Sequence, residues 1–132
     1  MKRTFGWLVV AALAGFAAMA TADAKHSHGG KATTLKGEVV DMGCYMAHEA
    51  HGAKHKECGA KCVAGGMPMG LLTGTGKLYL ITLNHENGDA YNQLKEWVDT
   101  QVEVTGVVSQ RAGIQSIDVA SAKAVSTAAN AK

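Results

Sequence analysis

This chain has almost no excess of charge of one sign. Thirteen Lys and Arg residues stand against eleven Asp and Glu, a net charge of +2 with histidine neutral. So even a balance offers no electrostatic footing to nucleic acid or to an anionic membrane, and neither is expected as a partner. A phosphate-binding glycine loop is absent. There is no Cys-x-x-Cys, which removes the thioredoxin-type motif, and no Cys-x-x-Cys-His, which removes covalent c-type haem. No internal repeat is visible. Nothing marks an oxyanion hole or a substrate pocket around a cysteine–histidine nucleophile. Cysteine itself is scarce and odd in number. Three cysteines permit at most one intrachain disulfide and leave one thiol over.

What is there begins with an address. Lys2 and Arg3 make a short basic start, an apolar run follows from Phe5 towards Ala20, and Ala22-Asp23-Ala24 offers small residues where a signal peptidase reads. Residues 1–24 are therefore expected to be a secretory signal cleaved after Ala24, with Ala20-Thr21-Ala22 as a second site. The run is short and rich in Ala and Gly, which favours a signal over a retained anchor. No stable membrane insertion is expected after cleavage, and no cysteine follows the run to carry a lipid. The expected location is periplasmic or secreted, where disulfides persist and an unused thiol is a liability. Lys25 to Lys132 suffices for one small domain.

Residues 25–32 read as a flexible leader, 33–120 as the domain and 121–132 as a flexible tail. Strands are expected over Thr33–Asp41, Met69–Leu72, Lys77–Leu83, Gln101–Ser109 and Ile114–Val119. Gly37 suggests a bulge or sharp bend in the first of them. Tyr91, Leu94, Trp97 and Val98 recur at helical spacing, which predicts a short helix from Ala90 to Val98 with Asp89 as N-cap. Five strands with one helix between the third and fourth is the order of an OB-fold, a small Greek-key barrel. Its apolar side chains, Trp97 included, are read as barrel filling.

Residues 43–66 form an insertion after the first strand, and all the visible chemistry lies there. Cys44, His48, His51, His55, Cys58 and Cys62 follow one another at steps of four, three, four, three and four. On a helix that spacing lines up all six on one face. A continuous helix would hold Cys44 and Cys62 about 27 Å apart, too far for one metal ion. Gly52 and Gly59 argue against such a helix. Two short helices, or a helix and a loop, are expected instead, and the glycines could fold the stripe into one cluster. Thiolate and imidazole suit soft and borderline metals. Cys58 and Cys62, four apart, can share an ion on a helix but are awkwardly placed for a disulfide with each other. The plain alternative is a disulfide from Cys44 to Cys58 or Cys62, stapling the insertion to the barrel, with the histidines on a solvated face.

Met42, Met46, Met67 and Met69 frame the insertion. Each alone is ordinary core filling. Together, and above all as Met67-Pro68-Met69, they offer thioethers and tilt the expectation to copper first and zinc second. A new amine at Lys25, followed by His26 and His28, is a weaker candidate for Cu(II).

The stretch GEVVDMGCYMAH…HKECGAKCVAGGMPMGLLTGTGKLYLIT resembles a group of small exported bacterial proteins with an OB-like barrel. The matching residues are Val40, Asp41, Cys44, Cys58, Cys62, Gly65, Gly66 and Pro68. The later Val-x-Val-x-Gly-x-Val, Val102 to Val108, fits the fourth strand of that pattern. The likeness spans roughly Lys36 to Val119 and implies the fold and the cysteine pattern. It carries neither the histidines nor an activity.

Together these readings predict a periplasmic metal-binding protein. Its role would be sequestration, delivery or sensing rather than catalysis, with the metal ion and a periplasmic protein as its partners. The competing readings are a disulfide-stapled barrel that binds a protein or small ligand, and a thiol redox protein using Cys58 or Cys62 beside His55.

Overall fold

The computed structural model describes residues 30–125. Five strands close into a barrel in the order β1-β2-β3-β5-β4: β1 Ala32–Asp41, β2 Met69–Thr73, β3 Leu78–Leu83, β4 Gln101–Arg111 and β5 Ile114–Ala124. All neighbours are antiparallel except β3 and β5, which run parallel. The expected OB-like barrel is therefore present. Helices α1 (Met42–His48) and α2 (Lys56–Ala64) form the insertion after β1, and α3 (Asp89–Lys95) links β3 to β4.

Alternation decides what fills the barrel. Val39, Leu71, Tyr79, Ile81, Val102, Val104, Ile117 and Val119 point inward, and Leu94 and Val98 close one end. Periodicity left both faces of β3 open; the barrel takes Tyr79 and Ile81 inward and leaves Leu83 exposed. Trp97 packs against this core from its edge.

Three local expectations change. Pairing runs through Gly37 without a shift, from Thr73 on one side to Val102 on the other. Glycine is needed there because a Cβ would strike the Leu72 carbonyl. The register shift lies instead at Thr105/Gly106. Gly88, not Asp89, is the N-cap of α3; Asp89 is its first helical residue, and its N–H is met by the Asn87 side chain at 3.0 Å. Finally, β5 does not end at Val119. Ser121 to Ala124 pair with Thr105 to Val102, so the first residues of the expected tail belong to the barrel. Small polar and Ala-rich residues gave no strand signal, but β4 is long and offers its edge to them.

The expected signal, and His26 and His28, lie outside the described residues. Among the described residues no helix is long and apolar enough to cross a membrane.

Candidate metal centre

The stripe of six is broken and folded back. Glu49 takes a left-handed conformation (φ 53°) and ends α1, with its N–H donating to the carbonyls of Cys44 and Tyr45. Gly52, at φ 83°, then turns the chain again. Glu38 on β1 holds this loop: its carboxylate accepts from the Gly52 N–H and faces His51 Nδ1 and Gln101 Nε2, each at 3.4 Å. The return lays α2 beside the end of β1 and brings Cys58 and His55 back to Cys44.

Two groups of donor atoms result. The Cys44 sulfur, the Cys58 sulfur and a ring nitrogen of His55 lie within 4.8 Å of one another. So do the Cys44 sulfur, the Cys62 sulfur and an oxygen of Asp41. Cys44 belongs to both. Cys58 is exposed and Cys44 and Cys62 are half-buried, so the cluster opens to solvent. All three cysteines are thiols.

Asp41 ends β1 and caps α1, its Oδ1 accepting the Gly43 N–H at 2.8 Å. The residue is fully buried, and Oδ2 has no partner. Cys44 and Cys62 face this carboxylate. Asp41, as acceptor for the thiol proton and as a neighbouring negative charge, pushes the Cys44 thiol up to about 12. It raises Cys62 in the same way. Burial would raise Asp41 itself, but the thiols and the Gly43 N–H outweigh it and hold the carboxyl below its usual value. Cys44 and Cys62 therefore rest protonated, and an attacking thiolate at either is disfavoured. A metal must displace those protons, so binding tightens as pH rises.

His55 is oriented from behind. Its Nδ1 meets Oδ2 of Asp99 at 2.9 Å, with the His55 side chain 13% exposed and the Asp99 side chain fully covered. Asp99 sits between α3 and β4 at φ 54°, where its N–H donates to the Val39 carbonyl at 2.6 Å. Burial raises the Asp99 carboxyl and His55 opposes that rise. With the proton on Nδ1 towards the carboxylate, Nε2 is left with its lone pair for a metal, the carboxylate–histidine–metal arrangement. Gly59 makes room for the pair: a Cβ there would lie 2.7 Å from Asp99 Oδ2 and 3.2 Å from His55 Nδ1.

The other candidates are placed elsewhere. His48 is exposed at the end of α1, outside both groups. His51 is also outside them, tied to Glu38 and edge-on to the Tyr45 ring at 5.9 Å. Met69 is fully buried in the barrel core. Met42 packs its sulfur over Gly70. Met67 remains partly exposed, its sulfur against Gly43 beside the cluster.

Neither aspartate was expected at the site from the sequence. Asp41 carried a readable signal, since Asp before a helix is a cap and it is one of the residues that carry the resemblance, three before Cys44. Asp99 carried none; it reaches His55 across 44 positions of sequence.

No protein-family model, curated protein or solved structure matches this chain.

Proposed function

We propose that this chain is an exported metal-binding protein that holds a thiophilic ion at Cys44, Cys58 and His55, with Cys62 joined to them through Cys44. The observation that carries the reading is the convergence of Cys44, His55 and Cys58 from both ends of a folded-back insertion. The buried Asp99 behind His55 supports it, because a histidine oriented through Nδ1 is what a ligating Nε2 requires. The N-terminal pattern supports export.

Zinc becomes the first candidate and copper the second. The thioether argument for copper loses Met69 to the core and Met42 to the Gly70 contact. Three thiols, an imidazole and a nearby carboxylate suit zinc without any methionine. Copper(I) remains suited to the thiols, with Met67 at their margin. A structural zinc site is closed. Here Cys58 is exposed, which favours exchange with a partner and hence sequestration or delivery.

Elemental analysis and a free-thiol count on mature protein from an oxidising compartment test this. The expected result is near-stoichiometric zinc or copper, lost in the Cys58→Ser/Cys62→Ser variant. No metal, with one disulfide and one thiol, would establish the stapled barrel instead.

A further inference from the structure

We propose that the centre takes two zinc ions, bridged by the Cys44 sulfur, with Asp41 as a ligand to the inner one. The proposal rests on the metal-binding reading above and goes beyond it in nuclearity and in the role of Asp41.

The first ground is the shape of the cluster. Its donors form two triads joined at one sulfur: His55, Cys58 and Cys44 towards solvent, and Asp41, Cys62 and Cys44 towards the barrel. A thiolate has lone pairs enough to serve two ions, and Cys44 is the one donor that belongs to both triads.

The second ground is the buried carboxylate of Asp41. Asp41 is fully buried, only one of its oxygens is bonded, and Oδ2 is without a partner. Helix capping explains Oδ1; beyond it the carboxylate has only the Cys44 and Cys62 thiols beside it. An unpartnered buried carboxylate oxygen is costly, and native proteins keep few of them. A cation between Asp41, Cys44 and Cys62 would complete it.

Charge balance is the third ground. In the ligated state three thiolates and one carboxylate carry four negative charges. Two zinc ions neutralise them. The carboxylate also argues for zinc over copper(I) in the inner position, since an oxygen donor suits the harder ion. Each ion would have three protein donors and one further position.

The test is zinc stoichiometry. The mature chain, stripped and kept reduced by a non-coordinating phosphine, is equilibrated with zinc alone, and zinc per chain is counted by elemental analysis and native mass spectrometry. Wild type is expected to hold two ions. Asp41→Asn, which can still cap Gly43, and Cys62→Ser are each expected to hold one. A His48→Ala/His51→Ala variant is expected to keep two. One ion in wild type would overturn the proposal and leave metal binding standing; no ion would remove both. Two ions in Asp41→Asn, or one in the histidine variant, would also overturn it, since the second ion would then lie elsewhere. Should Asp41→Asn not fold, as judged by circular dichroism, the Cys62→Ser count decides, and two ions there refutes the inner position.

Discussion

At the scale of single residues, the centre depends on side chains that no metal would touch. Asp99 aims His55, and Gly59 lets α2 approach closely enough for that contact. Replacing Asp99 with Asn keeps the size and an acceptor but removes the charge that favours Nδ1–H. Metal affinity in Asp99→Asn should fall about 10- to 100-fold, the usual cost of an outer-shell partner. Competition against a chelating dye would measure it. An unchanged affinity would mean that His55 is not a ligand.

At the scale of elements, the insertion is two short helices that could not stand alone. α1 has 7 residues and α2 has 9, both below the length at which an isolated helix is stable in water. α1 buries none of its residues, and α2 buries Gly59 and Val63. Their connection therefore matters as much as their propensity, and Glu38 holds it to β1. Glu38→Ala should free the 49–55 loop, speed amide exchange at Gly52 and weaken metal binding, with little effect on exchange in the barrel. Glu38→Gln keeps an acceptor for the Gly52 N–H and should restore most of the protection. Fast exchange at Gly52 in wild type would contradict the latch.

At the scale of the whole molecule, closure of the barrel depends on the far end of β5. Ala124, Lys123, Ala122 and Ser121 pair with Val102, Glu103, Val104 and Thr105. The Glu103–Lys123 and Glu103–Lys36 ion pairs decorate this seam, and Lys123 chiefly holds the Glu103 carboxyl below its usual value. Those pairs are exposed and add little; the ladder hydrogen bonds and the Ala122 contact with the core add more. A chain ending after Val119 should lose about 2 kcal/mol at about 0.5–1.5 kcal/mol per bond. That would lower Tm by about 8–16 °C. A chain ending after Val125 should melt like wild type. Equal melting of both would show that the last residues of β5 contribute nothing.

The strands were legible in the sequence because their cause is local. Alternation in Val102–Val104 and the apolar runs Val39–Val40 and Leu78–Leu83 state a β period whatever the partner strand, and five strands with a helix between the third and fourth match the order of an OB barrel. The Cys/His stripe was legible for the same reason, as was the need for a break at Gly52. Which donors meet was not. Helical spacing treated six residues alike, whereas the fold joins Cys44, His55, Cys58 and Cys62 and sets His48 and His51 aside. That choice depends on where the chain returns after Gly52, and so on Glu38 and the end of β1. The two aspartates depend on tertiary structure still more. Asp41 acquires its role by lying under two thiols, and Asp99 by a turn that places it behind an imidazole far away in sequence. Residue types and their period are properties of the chain, so the sequence alone determined the barrel and the donor chemistry. Convergence, burial and the unpartnered oxygen of Asp41 are properties of distance, and only the folded structure decided them.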